Sequence, residues 1–230
     1  MDFRLITYNV HGFPWTQTPI KQIVAWLVKN SDLAALQEVW CRHTEWAAAF
    51  ASHGWVFLRP ARESHFASVF GSGLAYAWPR SRWQLQDARF YPFLRCIGID
   101  IMVSKGWFHV DLLTPDGRPV RILNTHMQAD LDLIGSYFTE LTEGVRMIQA
   151  RQLIETEIPL LRQQPAPTLL VGDINTGQNW FSGFQLFPGS GIDHCGHPTG
   201  QPWKQLEQRV CSEAGDWSDH LPVCWRLTYI

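Results

Sequence analysis

The stretch Thr168-Leu169-Leu170-Val171-Gly172-Asp173-Ile174-Asn175 is an apolar run that ends in polar side chains, and this pattern recurs along the chain. The run predicts a buried strand over Thr168–Asp173. Asp173 and Asn175 are two residues apart, so on an extended chain both side chains project from one face. Gly172 leaves room for another group to approach closely. The pair therefore indicates either a polar site at a strand end or an Asx turn.

Four other apolar runs end in the same kinds of side chain, namely Asn, Asp, Glu or His. Strands often end in polar residues, but this many ends of one kind suggest that they converge on a single site. Carboxylates, amides and imidazoles together suit metal-assisted attack of water on a phosphate ester. The four segments are Thr7-Tyr8-Asn9-Val10-His11-Gly12, Leu36-Gln37-Glu38-Val39, Asn124-Thr125-His126 and Ser218-Asp219-His220.

Taken alone, these residues can also be interpreted as purely structural. Glu38 follows the apolar run Leu33–Leu36 and suits a hard cation such as Mg²⁺, but it can equally pair with a lysine or arginine. Asn9 can bind a metal or cap the turn that follows it. His126 can donate to a phosphate oxygen or to the leaving group.

His220 is a candidate for handling the proton of a water molecule, because imidazole titrates near neutral pH. Asp193 is the candidate carboxylate that orients it and raises its basicity. The plainer alternative for His220 is a hydrogen-bonded core histidine.

Composition limits the class of protein. The chain has 230 residues, of which 46% are hydrophobic and 17% charged, which is typical of a globular protein. No apolar run is long enough for a membrane span. The formal net charge of −2 disfavours nucleic acid as a partner. The five cysteines form no CxxC pair and are expected to be reduced, which favours a cytoplasmic location.

Apolar periodicity predicts helices that flank two groups of strands. This order indicates an α+β protein in which two sheets pack together with helices outside, in one domain over residues 1–230. The predicted helices are Pro19–Lys29, His43–Ala51 and Glu143–Leu161. The predicted strands are 3–10, Asp32–Val39, Gly73–Trp78, Leu94–Val103, Trp107–Leu113, Val120–His126, Thr168–Asp173 and Val223–Tyr229, with a loop-rich stretch before the last of them.

Taken together, the polar segments resemble the endonuclease/exonuclease/phosphatase superfamily of Mg²⁺-dependent phosphoesterases. The resemblance runs in the family's order from Tyr8-Asn9 to Ser218-Asp219-His220. It implies a four-layer αββα sandwich, with two mainly antiparallel sheets packed face to face.

Within that superfamily the middle of the chain is most similar to the neutral sphingomyelinase branch. The stretches that carry this similarity are Gly71-Ser72-Gly73-Leu74, Lys105-Gly106-Trp107, Asn124-Thr125-His126-Met127-Gln128-Ala129, Arg146, Gln149 and Gln152-Leu153.

The resemblance implies a role for each candidate residue. Glu38 would be the main Mg²⁺ ligand, with Asn9 beside it and Asp219 near the metal, and Mn²⁺ would be an acceptable substitute. No other cofactor is implied.

The same resemblance implies that Asp173 and Asn175 position water and phosphate. His220, oriented by Asp193, would activate the water or stabilise the phosphoryl group. His126 would stabilise the pentacoordinate state or help the leaving oxygen depart. Asp173 and His220 are treated as a coupled pair, because either can be the base.

The chain also departs from the family. The loop between Asn175 and Asp193 is short, and His194 stands where the family commonly has an aromatic residue. Apolar segments that can touch a membrane surface are Phe13-Pro14-Trp15 and Leu131–Phe138, although ordinary loop packing explains them equally well.

The leading hypothesis is a Mg²⁺-dependent phosphodiesterase that acts on a phospholipid, sphingomyelin-like substrate, as a monomer with transient membrane contact. The alternatives are a DNA or RNA nuclease of the abasic-site type, a phosphomonoester or inositol-phosphate phosphatase, and a catalytically silent binding module. Near-neutral charge favours the lipid over the nucleic acid.

Overall fold

The computed structural model describes residues 1–60, 71–130, 136–187 and 191–230, and for residues 136–138 the backbone alone. Three α-helices are present in these ranges: α1 (Ile20–Asn30), α2 (His43–Ala51) and α3 (Ser136–Gln163). The strands are β1 (Asp2–Asn9), β2 (Leu33–Gln37), β3 (Trp55–Leu58), β4 (Ala75–Pro79), β5 (Gln84–Pro92), β6 (Gly106–Leu113), β7 (Pro119–His126), β8 (Thr168–Asp173), β9 (Phe184–Leu186), β10 (Asp193–Pro198), β11 (Trp203–Val210) and β12 (Val223–Tyr229).

The strands form two six-stranded sheets, ordered β11-β12-β1-β2-β4-β3 and β5-β6-β7-β8-β10-β9. Each sheet has one parallel pair at its centre, β1 with β2 and β7 with β8, and its other neighbours are antiparallel. The predicted α+β class with two mainly antiparallel sheets is therefore confirmed. The parallel pairs bring the carboxyl ends of two strands together in each sheet, and the register pairs His126 with Asp173.

The main core lies between the sheets, where side chains such as Leu5, Leu33 and Trp225 meet Ile122 and Val171. Each of these side chains is fully buried or nearly so, and burial of one such side chain contributes about 1.5–3 kcal/mol. This face-to-face packing forms the two inner layers of the sandwich.

The helices form the outer layers. On the first sheet, Ile23 and Leu27 of α1 and Phe50 of α2 pack against Ile6 and Ala34. The apolar residues of α1 recur at helical spacing and face inward, as the sequence predicts. On the second sheet, α3 buries residues including Ala150 and Leu153 against Leu123 and Leu170.

Polar side chains also join the two sheets. Asn124 of β7 donates to the backbone oxygens of Leu36 at 2.9 Å and of Ala75 at 3.1 Å. Its Oδ1 accepts a bond from Gln37 Nε2 at 2.7 Å. These contacts lie one or two residues from Glu38 and His126, so they fix the relative position of the strand ends that carry the polar side chains.

The prediction of a strand over Leu94–Val103 is wrong. This segment is a bend followed by a short 3₁₀ helix, Gly98–Met102. The buried Asp100 carboxylate accepts a bond from Ala129 N at 2.8 Å, and Gln128 Oε1 accepts one from Ile97 N at 2.9 Å. These tertiary bonds outweigh the β propensity of the isoleucines and valine.

Other boundaries differ from the prediction as well. The long helix begins earlier and ends slightly later than expected, and the stretch predicted to be loop-rich contains β9, β10 and β11. β5 and β11 escape a pattern search because they are edge strands with mostly exposed residues on both faces. None of the described helices is long and apolar enough to span a bilayer. All five cysteines are free thiols, as expected.

Candidate active site

Four strand ends bring their polar side chains together at one edge of the sandwich. Asn9 ends β1, Glu38 follows β2, and His126 and Asp173 end β7 and β8. Asn9 Nδ2 donates to Asp173 Oδ2 at 3.2 Å. His126 Nε2 lies 3.7 Å from Asp173 Oδ2 and 3.8 Å from Glu38 Oε1. The site therefore lies between the two sheets and takes residues from both.

Unusual backbone conformations place these residues. Gly172 has a φ of 141°, and a Cβ there would lie only 2.0 Å from Thr125 O, so glycine alone lets β8 approach β7 this closely. Glu38 and Asn175 occupy the left-handed region, at φ 57° and 53°. Non-glycine residues rarely adopt this conformation, and it is common at functional sites.

Asp173 and Asn175 do not share the face of a strand, because β8 ends at Asp173 and Asn175 turns away. Asn175 N instead donates to Asp173 Oδ1 at 2.9 Å in an Asx turn. Asn175 Nδ2 donates to Met127 O at 3.1 Å. The Asx turn and the polar site, which the sequence offers as alternatives, thus occur together, and Asn175 remains beside Asp173.

The structure brings His220 and Asp193 together. His220 Nδ1 lies 2.9 Å from Asp193 Oδ2, and its Nε2 lies 3.8 Å from Asp173 Oδ2. Asp193 opens β10, where it is the register partner of Asp173. Ser218 Oγ donates to Asn9 O at 2.7 Å and so ties the segment before His220 to β1.

The electrostatics of this group are strongly coupled. Burial alone would lower the pKa of His220, but the hydrogen bond to Asp193 and the negative charges of Asp193, Asp173 and Asp219 raise it to about 9. Burial and the charge of Asp193 raise the pKa of Asp173 to about 6, despite opposing effects of His220 and Lys105. Burial also raises the pKa of Asp193, against the effect of its bond to His220.

Asp219 lies at the rim of the site rather than inside it. Its side chain is 62% exposed, and its Oδ1 lies 3.3 Å from His11 Nδ1. His11 Nδ1 in turn lies 3.8 Å from Glu38 Oε2, so His11 stands between the two predicted metal ligands. The sequence marked His11 only through its closeness to Asn9.

Lys105 is a further site residue, for which the sequence predicts no role. Its side chain is buried, and its Nζ lies 3.0 Å from His126 Nε2 and 3.1 Å from Asp100 Oδ2 and donates to Met127 O at 2.6 Å. An ammonium group can only donate, so this contact requires a lone pair on His126 Nε2. Burial and the charges of Lys105 and His220 lower the pKa of His126 far below its ordinary value, which keeps this imidazole neutral.

An aromatic wall leads from His126 to the surface. The ring of Trp40 lies 6.4 Å from that of His126, Phe13 lies 5.8 Å from Trp40, and Trp15 stacks on Phe13 at 4.9 Å. Trp15 is 71% exposed. The segment Phe13-Pro14-Trp15 thus lies at the rim of the site. Residues 131–135 and the side chains of residues 136–138, the other predicted apolar segment, lie outside what the structure describes.

The donor set fits a hard divalent cation. Glu38 Oε2 is buried and makes no hydrogen bond among the described residues. Burial raises the pKa of this carboxyl, despite the opposing effects of Lys105, Asn9 and His11. A buried carboxylate oxygen without a partner is costly unless a cation neutralises it. Asp173, Asp193 and His220 also have donor atoms within 4.8 Å of one another, but the hydrogen bond between Asp193 and His220 suits that group to proton handling.

The sequence profile of the endonuclease/exonuclease/phosphatase family matches residues 6–220. The chain belongs to this family. It is therefore a hydrolase of phosphate esters, with the αββα sandwich that the resemblance implies. No curated protein sequence matches the chain significantly.

Several solved structures have the same fold as this chain. Sphingomyelinase C from Streptomyces griseocarneus is 18% identical, with a TM-score of 0.72 over 98% of this chain and 99% of the other. Beta toxin from Staphylococcus aureus with bound magnesium ions is 14% identical, with a TM-score of 0.73 over 98% and 99%. D. rerio TDP2 complexed with a single-strand DNA product is 12% identical, with a TM-score of 0.67 over 99% of each chain.

Proposed function

We propose that the protein is a phosphodiesterase that requires a divalent cation, preferably Mg²⁺, and hydrolyses a phospholipid with a sphingomyelin-like headgroup by in-line attack of water. The observation that carries the proposal is the contact of Asp173 with residues from both halves of the site, at 3.2 Å from Asn9 and 3.8 Å from His220. A proton-handling group and a candidate cation site thus share one carboxylate.

Glu38 is the proposed main ligand of the metal, with Asn9 beside it and Asp219 at the rim. Bound there, Mg²⁺ would polarise a phosphate oxygen and offset the charge that develops on it. Support comes from the Glu38 oxygen that makes no hydrogen bond among the described residues and from the magnesium ions in the beta toxin structure.

The directions of the two pKa shifts favour different roles for His220 and Asp173. His220, with a pKa raised to about 9, carries the proton at neutral pH and stabilises the phosphoryl charge. Asp173, with a pKa raised to about 6, is ionised there and is the proposed acceptor of the water proton. Asp193 orients His220, and Asn175, which donates to Met127 O, is proposed to position the phosphate beside Asp173.

His126 has a narrower proposed role than the resemblance implies. Because its Nε2 accepts from Lys105, that atom does not donate to a phosphate or leaving oxygen. The three N–H groups of the Lys105 ammonium have partners in His126, Met127 and Asp100, so the proposed contribution of Lys105 is its positive charge. His126 positions that ammonium beside Asp173.

A phospholipid is favoured because, among the residues that the structure describes, the site shows no row of basic side chains for a nucleic-acid backbone. The formal net charge is −2, and Lys105 is the one lysine or arginine with a described contact to the candidate residues. A nuclease is the second candidate, since the stacked pair Phe13 and Trp15 at the rim can also stack bases, and TDP2 was solved with a DNA product.

The first test measures Mg²⁺-dependent release of phosphocholine from sphingomyelin, run beside cleavage of abasic and plain DNA. Chelation by EDTA should stop the reaction. Lipid cleavage alone supports the proposal, whereas DNA cleavage alone keeps the mechanism and overturns the substrate. No cleavage of either, with the metal still bound, points to a smaller phosphate ester or to a binding role.

We expect His220→Ala to lower kcat by about 10²–10⁴-fold while the far-UV spectrum keeps its wild-type form. The Tm should fall, because the buried Asp193 carboxylate loses its cationic partner. His53→Ala, the same change at an exposed histidine of a surface turn, is the matched control and should keep full activity. Turnover of His220→Ala at the rate of this control would contradict the assigned role.

A further inference from the structure

Residues 94–102 present aliphatic side chains to solvent beside the active site. Leu94 is 80% exposed, Ile99 73%, Ile101 54% and Met102 46%. A cluster of large exposed aliphatic residues in so short a segment is unusual in a soluble protein and marks an interaction surface. We call these four side chains the apolar ledge.

The ledge is a built feature rather than a loose loop. Its backbone is held by two side chains of α3: Leu94 N donates to Gln152 Oε1 at 2.9 Å, and Gln149 Nε2 donates to Arg95 O at 2.7 Å. The Asp100 carboxylate points inward and binds Ala129 N at 2.8 Å. Because these polar anchors face the protein, the apolar side chains between them are turned outward.

The same anchors connect the ledge to the active site. Asp100, within the 3₁₀ helix of the ledge, pairs with Lys105 Nζ at 3.1 Å, and that ammonium lies 3.0 Å from His126 Nε2. The ledge is therefore one buried ion pair away from the residues that would handle the phosphate. A partner that contacts the apolar ledge would therefore bring its own chemical groups close to the active site.

The charges of residues 93–105 indicate which class of partner the apolar ledge can bind. Residues 93–105 contain one acid, Asp100, and it is buried and paired with Lys105. The exposed charge of the segment is Arg95, which can meet an anionic phosphate group. Aliphatic side chains with one cation and no exposed acid match the acyl and headgroup layers of a bilayer.

We propose that the apolar ledge docks the protein on a lipid bilayer, inserting Leu94, Ile99, Ile101 and Met102 below the headgroups while Arg95 contacts lipid phosphate. This inference rests on the proposed function, because a lipid substrate must be taken from a membrane. It assigns the contact to a segment other than the aromatic rim at Phe13 and Trp15.

The test compares vesicle binding with hydrolysis of a soluble diester. The variant Leu94→Ser/Ile99→Ser/Ile101→Ser is sedimented with vesicles of phosphatidylcholine and sphingomyelin. The matched control is Leu206→Ser/Ile230→Ser, whose side chains are 51% and 67% exposed and lie outside the ledge. Hydrolysis of bis(p-nitrophenyl) phosphate with Mg²⁺ and the Tm report on the site and on folding.

We expect the ledge variant to bind vesicles at least about tenfold more weakly than the wild type, with unchanged Tm and unchanged hydrolysis of the soluble diester. The control should bind as the wild type does. Equal vesicle binding by the ledge variant and the control would overturn the proposal, as would a wild-type protein that does not bind vesicles. A dimer of the wild type that the ledge variant abolishes would also overturn it, in favour of a second copy of the chain.

The two proposals fail in different ways. If vesicle binding depends on the ledge but sphingomyelin is not cleaved, docking stands and the proposed substrate is wrong. If sphingomyelin in detergent is cleaved and the ledge has no effect on vesicle binding, the substrate stands and docking is wrong. Single Ile99→Ser and Ile101→Ser variants keep the test valid if the triple variant does not fold.

Discussion

Glu38 is held in a position that favours ligand binding over stability. Its backbone lies at φ 57°, and its Oε2 is buried without a hydrogen bond among the described residues. Each of these features costs free energy in the isolated protein. The cost is recovered if a cation binds, which is the usual reason for such an arrangement at a functional site.

We predict that Glu38→Gln raises the Tm measured in EDTA. A carboxyl whose pKa is higher in the folded than in the unfolded state is ionised at neutral pH at a cost to folding, and the neutral amide removes that cost. The same variant should lose the rise in Tm that Mg²⁺ gives the wild type, since that rise depends on binding to the folded state.

Thermal melts with and without Mg²⁺ measure both effects. Glu45→Gln, an exposed glutamate on α2, is the matched control and should respond to Mg²⁺ as the wild type does. An unchanged Mg²⁺ response in Glu38→Gln would remove Glu38 from the metal site.

The sequence points to some site residues much better than to others. Asn9, Glu38 and His126 can be found because each directly follows or ends an apolar run. Lys105 stands in the family-like stretch Lys105-Gly106-Trp107, but the sequence predicts no role for it, because a lysine before a strand is typical of a surface position. Its burial follows from two partners, Asp100 and His126, and only the folded chain brings them together around it.

At the scale of elements, a buried polar network lies between α3 and the second sheet. Glu157 of α3 accepts hydrogen bonds from Trp107 Nε1 at 2.6 Å and faces His109 Nδ1 at 3.2 Å. His109 Nε2 lies 3.2 Å from Asp111, which also receives Arg121 Nε at 2.8 Å. With a carboxylate at each ring nitrogen, His109 is suited to the doubly protonated form.

We predict that His109→Gln destabilises the protein by about 3 kcal/mol near pH 6, because it leaves the Glu157 carboxylate without its cation. Burial lowers the pKa of His109, but its bonds to Asp111 and Glu157 raise it more, so the folded value exceeds the unfolded one. The contribution is therefore complete below the unfolded pKa of about 6.5 and is lost as pH rises through the folded value.

Urea unfolding of the wild type and of His109→Gln at pH 6 and pH 9 measures this difference. The gap between the two proteins should shrink at the higher pH. His53→Gln, at an exposed position, should show no gap at either pH. A gap that stays constant or widens would show that His109 is not the protonated centre of the network.

Element prediction succeeds where a strand has a long buried run, and it fails at exposed edge strands and where exposed aliphatic residues imitate a core strand. β1, β7 and β8 have long buried runs and are found. β5 and β11 are missed because their polar residues occur on both faces at a sheet edge. The segment 94–103 is misassigned because its aliphatic residues look like a core strand, whereas they face solvent.

At the scale of the whole molecule, the two sheets have the same plan. Each places one parallel pair at its centre, and the carboxyl ends of the pairs carry Asn9 and Gln37 in one sheet and His126 and Asp173 in the other. Packing the sheets face to face brings these ends together, so the site is a direct product of the topology. Its assembly requires both sheets in register.

The pairing of β1 with both β2 and β12 has a consequence for synthesis of the chain. β1 contributes Asn9, and its neighbour β12 follows Asp219 and His220, so the first and last strands lie side by side in one sheet. Pairing between segments so distant in sequence makes folding slow. On the ribosome the amino-terminal half must wait, with its central strand unpaired on one edge, until β12 emerges.

Nascent chains arrested before β12 has left the ribosome should therefore be digested rapidly by protease. Chains arrested after β12 has emerged should resist it, because the sheet can then close around β1. Protection of chains arrested earlier would contradict this order of events. Before β12 emerges, a chaperone that covers an exposed strand edge would protect the chain most.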